Sequence, residues 1–192
     1  MSLKQLVKDA NTDKNTVHSY LDLYDSLLTR HRDTATNVLE VGIGNFGDKN
    51  GGSLQLWRDY FKTATIYGLD ILSMDRVLDD LKNDPRIVLY TETNAYDDAF
   101  FKANFLDKRF DFMLDDGPHT LESMKDFIRL YSQVMTEDGI LIIEDVQSMD
   151  WIDVLKNEVP EHLKQFINVY DLRANKRRYD DVVFTIDKKS LN

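Results

Sequence analysis

Short apolar runs alternate along this chain with longer stretches that are apolar on one face only. The runs are rich in β-branched or aromatic residues and have turn residues close by, which is typical of buried strands. They predict strands at Asn37–Val41, Thr65–Leu69, Arg86–Tyr90, Phe110–Leu114 and Ile140–Ile143. The intervening stretches predict helices at Ser53–Phe61, Met74–Leu81, Asp97–Asn104 and Leu121–Met135. This alternation predicts an α/β fold, a mostly parallel sheet with helices on both faces.

The two ends of the chain depart from the alternation. Phe166–Tyr170 and Val182–Ile186 are strand-like and are separated by a polar stretch, which predicts an antiparallel pair at the edge of the sheet. Before the first strand, Thr16–Arg30 has apolar residues at helical spacing and predicts a helix packed on the sheet edge. No linker divides the 192 residues. We therefore expect a single domain over residues 1–192, with 1–34 as a helical segment packed on it.

Composition narrows the classes of function. The chain has 34 acidic and 24 basic residues, a net charge of -10, and an acidic surface of this kind repels nucleic acid. It has no cysteine, which removes disulfides, thiolate metal ligands and cysteine nucleophiles. No apolar run approaches the ~20 residues of a membrane span, and no signal peptide is visible. We expect a cytoplasmic protein with no nucleic-acid or membrane partner.

A glycine-rich turn follows the first predicted strand. The segment Glu40–Gly47 has the spacing GxGxxG and leads toward a predicted helix. Its glycines would let a ligand approach the backbone, and the helix N-terminus offers free N–H groups to an anion. Asp70 ends the second strand, where its carboxylate could accept hydrogen bonds from ribose hydroxyls. A strand-to-helix turn without a ligand is the alternative.

Two ligands fit this turn, a dinucleotide or S-adenosylmethionine (SAM). A dinucleotide places its pyrophosphate on a short loop at the helix start. Here the loop is long, with Asp48 and Lys49 before Gly51. Glu40, ahead of the turn, suits an ammonium or hydroxyl donor better than a phosphate. These features, with the terminal antiparallel pair, favour SAM over NAD.

Acidic side chains follow the fourth and fifth predicted strands. Asp115, Asp116 and His119 come directly after one strand, and Glu144 and Asp145 come after the next. Because carboxyl ends of neighbouring strands face the ligand crevice of an open α/β sheet, we expect these groups to converge. Clustered carboxylates repel one another, and a hard divalent cation such as Mg²⁺, Mn²⁺ or Ca²⁺ would relieve that repulsion. His119 has the ordinary pKa of a general base near neutrality. Helix capping by either aspartate is the alternative.

Taken together, these motifs resemble one family over nearly the whole chain. The matching pieces are Thr12-Asp13-Lys14 with His18, Tyr20 and Tyr24; Val38–Gly44; Gly51–Leu54 and Trp57; Ile66–Asp70; Phe110–His119; Ile142–Asp145; and Asp171-Leu172-Arg173, Lys176, Arg178 and Asp180-Asp181. They resemble the class I SAM-dependent methyltransferases of the macrocin and mycinamicin sugar O-methyltransferase type, with cephalosporin-hydroxylase-like relatives. The combination of DDGxH with Glu-Asp is the most specific part of this match.

The resemblance implies a Rossmann-like class I methyltransferase fold with a seven-stranded, mostly parallel sheet. It implies that Asp116, Glu144 and Asp145 ligate Mg²⁺ (or Mn²⁺) and that His119 is the general base. It also implies a SAM site formed by Glu40, Gly42, Gly44, Asp70, Asn94 and Asp115. Tyr20 is expected either at the cofactor or in the core.

The expected function is SAM- and metal-dependent O-methylation of a hydroxyl on a sugar or a glycosylated small molecule, in natural-product or polysaccharide modification. The alternatives are an NAD-linked oxidoreductase and a non-catalytic SAM-binding module. The basic stretch Arg173–Arg178 is interpreted as a solvated turn, or else as a contact for a phosphorylated or nucleotide-linked sugar. We expect no N-terminal auxiliary domain of the kind some relatives carry, so the identity of the sugar acceptor is not inferred. The sequence is compatible with a homo-oligomer.

Overall fold

Seven strands lie in the ranges that the computed structural model describes, which are residues 1–7, 12–44 and 47–189. The strands are β1 (Asn37–Val41), β2 (Thr65–Leu69), β3 (Ile87–Tyr90), β4 (Phe110–Asp115), β5 (Met135–Ile143), β6 (Ile167–Asp171) and β7 (Val182–Asp187). They form one sheet in the order β3-β2-β1-β4-β5-β7-β6. Strands β1 to β5 pair in parallel, whereas β7 is antiparallel to both β5 and β6. The predicted sheet and its terminal antiparallel pair are confirmed.

Helices cover both faces of the sheet. They are α1 (Leu3–Leu6), α2 (Asp13–Thr16), α3 (Leu21–Leu28), α4 (Gly52–Tyr60), α5 (Asp79–Lys82), α6 (Asp98–Asn104), α7 (Leu121–Tyr131), α8 (Trp151–Glu158) and α9 (Arg173–Lys176). Successive strand residues point to opposite faces, so Val38 enters one core and Leu39 the other. The core around Val38 takes side chains from α1, α3, α4 and α5, and the core around Leu39 takes them from α6, α7 and α8. Among the described residues, every helix is too short or too polar to span a bilayer.

The helices differ from the predicted ones where a polar turn interrupts an apolar pattern. The helix expected over Thr16–Arg30 begins only at Leu21, as α3, and continues as a 3₁₀ turn at Thr29–His31. A separate helix, α2, is capped by the Thr12 side chain and ends at Thr16. The helix expected over Met74–Leu81 is a 3₁₀ turn followed by α5. Helix α8 was not predicted at all. In each case local capping or tertiary packing, rather than periodicity, sets the helix ends.

Strand β5 begins earlier than its apolar run. The predicted helix Leu121–Met135 ends at Tyr131, and Met135 instead pairs with Phe110 of β4. The register then shifts, and Ile140 lies opposite Phe112. The residues between are polar, so the sequence pattern hides this first part of the strand.

The segment that precedes β1 is fixed to the sheet at several points. Lys176 donates to the backbone carbonyls of Asn15 and Thr16, and Asn175 donates to the hydroxyl of Ser19. These contacts tie the last residues of α2 to the connection between β6 and β7. They hold α2 and the residues after it beside the strand ends.

The glycine turn after β1 depends on close backbone packing. Gly42 has φ +83°, and a Cβ placed on it would lie 1.8 Å from the carbonyl oxygen of Asp116. Gly44 also has a positive φ, of 113°. Asn45 and Phe46, inside the predicted GxGxxG spacing, lie outside the described residues. Gly42 therefore joins the turn directly to the loop after β4.

We expect Gly42→Ala to lower the free energy of unfolding by about 2–5 kcal/mol, from left-handed strain and overpacking combined. Gly47→Ala is the matched control, because Gly47 has φ +79° but a Cβ at that position would meet no heavy atom within 4 Å. It should cost only about 1–2 kcal/mol. Urea unfolding of both variants measures the difference. Equal losses would contradict the close approach at Gly42.

Candidate active site

A cavity of about 650 Å³ opens at the carboxyl ends of β1, β2 and β4. The sheet order reverses between β1 and β4, and ligands of open α/β sheets bind at such a point. Six of the residues predicted from the sequence line this cavity: Gly42, Gly44, Asp70, Asn94, Asp116 and His119. The glycine turn and the aspartate cluster therefore face one space.

Asp70 is fixed by backbone N–H groups at the cavity wall. Its Oδ2 accepts a hydrogen bond from the backbone N–H of Ile43 at 2.8 Å, and its Oδ1 accepts one from Leu72 at 2.9 Å. Each carboxylate oxygen can accept a further hydrogen bond. Asp70 is thus held in place with accepting capacity left for hydroxyl groups.

Glu40, Asp115 and Tyr20 are buried and do not line the cavity. Glu40 Oε2 accepts from Ser53 Oγ at 2.7 Å and from Trp57 Nε1 at 3.1 Å, both on α4. Asp115 accepts a hydrogen bond from the Tyr96 hydroxyl at 2.6 Å. Their contact with a cofactor stays a prediction.

The structure brings Asp116 and Glu144 together around a buried ammonium. Lys14 Nζ lies 2.5 Å from Asp116 Oδ2 and 2.5 Å from Glu144 Oε1. It also lies 3.4 Å from Glu40 Oε1. The Lys14 side chain is 0% exposed. The Lys14 ammonium is therefore shared by three carboxylates, one in β1, one directly after β4 and one directly after β5.

Further side chains from the same N-terminal segment bind the acidic cluster. The Tyr24 hydroxyl donates to Glu144 Oε2, and the Tyr20 hydroxyl donates to Asp145 Oδ1. His18 Nδ1 lies 2.6 Å from Asp181 Oδ1 and 3.2 Å from Asp145 Oδ1. Reasoning from the sequence assigned no role to Lys14 or His18. The sequence did offer one sign of their importance, because both residues lie among the motif residues before β1 that match the resembled family.

The cluster contains more carboxyl groups than cationic groups. Burial raises the pKa of Asp116 and Glu144 to about 8, and that of Glu40 and Asp145 to about 7. Burial by itself would lower the pKa of Lys14, but the surrounding carboxylates hold it well above its usual value. Lys14 thus stays charged, and one ammonium does not neutralise four carboxyl groups.

Asp116, His119 and Asp145 form a group that could hold a metal ion. Each offers a ligand atom, and these atoms lie within 4.8 Å of one another. His119 Nε2 is 3.6 Å from both Asp116 Oδ1 and Asp145 Oδ2. The donor set, in which carboxyl groups outnumber the one buried ammonium, fits a divalent cation. Glu144, which was predicted as a metal ligand, is not part of this group, and its oxygens contact Lys14 and Tyr24.

His119 and Asp145 are both held in left-handed backbone conformations. Their φ angles are 53° and 54°, which non-glycine residues adopt rarely and at functional sites more often than elsewhere. Burial lowers the pKa of His119 to about 4. Its imidazole is therefore neutral near pH 7, which is the form that can accept a proton.

Three of the four basic residues after β6 contact other groups of the chain. Arg173 binds Asp171, Arg178 binds Asp180, and Lys176 caps α2 through backbone carbonyls. These contacts support a structural role for the stretch and do not test a phosphate contact.

Comparisons with known proteins agree with the motifs. No family model matches the chain. Mycinamicin VI 2''-O-methyltransferase of Micromonospora griseorubida is 31% identical over 140 residues, which are 70% of this chain and 33% of that protein. Demethylmacrocin O-methyltransferase of Streptomyces fradiae is 29% identical over 146 residues, 71% of this chain and 34% of that protein. The chain thus spans about a third of the length of the curated relatives it matches.

Solved structures show which fold this is. The methyltransferase MycE from the mycinamycin biosynthetic pathway, in complex with Mg, SAH and mycinamycin VI, superposes with a TM-score of 0.77 and 21% identity. The match covers 97% of this chain and 53% of MycE. A fibrillarin pre-rRNA processing protein of Methanococcus jannaschii superposes with a TM-score of 0.55 and 14% identity, over 83% and 68% of the two chains. The chain has the class I methyltransferase fold, and its predicted resemblance to sugar O-methyltransferases of the macrocin and mycinamicin type is confirmed.

Proposed function

We propose that this protein is a SAM-dependent, divalent-metal-dependent O-methyltransferase that acts on a hydroxyl of a sugar or of a glycosylated small molecule. One observation carries the proposal. The cavity at the reversal of strand order is lined by Gly42, Gly44 and Asp70 together with Asp116 and His119. A nucleoside-binding turn and an acid–base cluster therefore face the same space.

The relatives support both the reaction and the acceptor class. Those with about 30% identity are named as O-methyltransferases of rhamnosyl, olivosyl or other glycosylated natural products. The structurally similar MycE was solved with Mg and SAH. An NAD-linked oxidoreductase would need neither the clustered carboxylates nor a divalent ion at the turn.

The proposed roles follow from where the side chains lie. The glycine turn would carry SAM, with its ribose hydroxyls on Asp70 and its adenine near Asn94. Asp116 and Asp145, with Glu144, would hold the metal ion. When bound, the ion would lower the pKa of an acceptor hydroxyl. Neutral His119 would not ligate the ion and would instead take the hydroxyl proton at Nε2.

The acceptor oxygen would then form a bond to the sulfonium methyl carbon. The bond from that carbon to sulfur would break, and S-adenosylhomocysteine (SAH) would leave. Tyr20, Glu40 and Asp115 would support this site from positions behind the cavity wall. A cytoplasmic location remains a prediction.

We expect the protein to bind SAH and to bind NADH far more weakly. Asp70→Asn should weaken SAH binding about 10–100-fold, because it removes charge-assisted hydrogen bonds to the ribose. Asp75→Asn, at an exposed position that does not line the cavity, is the matched control. Titration calorimetry with each ligand measures these affinities. Tighter binding of NADH than of SAH would favour the oxidoreductase alternative.

We expect His119→Ala to lower turnover about 10²–10⁴-fold, because it removes the proton acceptor. Its SAH affinity should stay within about twofold of the wild-type value. Transfer of labelled methyl from SAM to a panel of rhamnosides and other glycosides with adjacent free hydroxyls measures turnover. His162→Ala, at an exposed histidine, is the control.

Full turnover in His119→Ala would remove His119 as the base. Transfer by the wild-type protein to none of the glycosides would count against the proposed acceptor class.

A further inference from the structure

Lys14 is a charged residue of the site that the proposed reaction does not use. It is fully buried, and it belongs to α2 rather than to the sheet that carries the carboxylates. Its ammonium contacts Asp116 and Glu144 at 2.5 Å each, which are two of the three expected metal ligands. A buried lysine that shares ligands with a divalent ion must affect how that ion binds.

The carboxylate oxygens are divided between two sides. Asp116 presents Oδ2 to Lys14 and Oδ1 toward His119, at 2.5 and 3.6 Å. Asp145 receives Tyr20 at Oδ1 and presents Oδ2 toward His119 at 3.6 Å. Glu144 has both oxygens on the N-terminal segment, at Lys14 and Tyr24. The segment therefore holds one side of the cluster, and the side toward His119 is left for a ligand.

We propose that Lys14 is a positioning residue that holds Asp116 and Glu144 in place without metal and weakens metal binding by sharing them. The inference rests on the proposed metal-dependent function. Two cations that share the same carboxylates repel each other strongly where water is excluded. The ammonium therefore keeps the site assembled when the ion is absent and makes the ion easier to release.

A second effect of Lys14 opposes the first but is weaker. The ammonium also favours ionised carboxylates, which helps metal binding. However, the cluster has four carboxyl groups for this one ammonium, and a divalent ion ionises its own ligands on binding. Loss of the repulsion should therefore outweigh loss of this help.

The test is Mg²⁺ titration calorimetry on wild type and on Lys14→Met, with Lys14→Arg and Lys4→Met as controls. Lys14→Met should bind Mg²⁺ at least about tenfold more tightly and should unfold at a lower temperature without metal. Mg²⁺ should then raise its unfolding temperature more than it raises that of wild type. Lys14→Arg keeps the charge and should stay close to wild type. Lys4 is an exposed lysine paired with Asp22, so Lys4→Met should change neither property.

Unchanged or weaker Mg²⁺ binding by folded Lys14→Met would overturn the inference while leaving the proposed function intact, because it would mean that Lys14 is only structural. Absence of Mg²⁺ binding by wild type would overturn both.

A second measurement needs no variant that loses the charge. In wild-type protein labelled with ¹⁵N-lysine, the Lys14 ammonium should give a slowly exchanging signal, because it is buried and held by three carboxylates. Lys14→Arg assigns that signal by removing it. Saturation with Mg²⁺ should shift the signal or broaden it. If Lys14→Met does not fold, an unshifted Lys14 signal at Mg²⁺ saturation would overturn the inference, and a shifted one would support it.

Discussion

The burial of one ammonium among carboxylates is the interaction on which this structure depends. Several kilocalories per mole are needed to remove a single ion from water, so Asp116 and Glu144 can be buried in their ionised form only if a cation contacts them. Lys14 supplies that cation, and Tyr20 and Tyr24 supply hydrogen-bond donors. The packing of the N-terminal segment on the sheet and the assembly of the acidic cluster therefore depend on each other.

Strand register determines which acidic groups can meet. Val41 lies opposite Asp115, and Asp115 lies opposite Ile143, so Asp116 and Glu144 both follow directly after paired positions. A slip of one residue in β5 would turn its side chains to the opposite faces of the sheet. The apolar alternation that fills the two cores therefore also fixes the carboxylate geometry.

The sequence predicted what periodicity and strand-end chemistry encode. The parallel strands, the glycine turn and the approach of Asp116 to Glu144 all follow from local patterns and from the rule for open sheets. The role of Lys14 could not be predicted, because lysine side chains are ordinarily solvated and no local pattern distinguishes a buried one. The first part of β5 was missed because strand pairing, rather than periodicity, defines it. Helix α8 was missed although Ile152 and Leu155 have helical spacing.

Helix α2 contributes one residue to the ion cluster and another to the lining of the cavity. Asp13 lines the cavity, and its neighbour Lys14 is buried in the cluster. The shared fold does not select an acceptor, since it also occurs in an RNA-processing protein. Under the proposed function, side chains that line the cavity make that selection, and Asp13 cannot move far without displacing Lys14 from its carboxylates. Changes of acceptor are therefore easier to accommodate at lining positions that belong neither to the ion cluster nor to the proposed cofactor contacts Asp70 and Asn94.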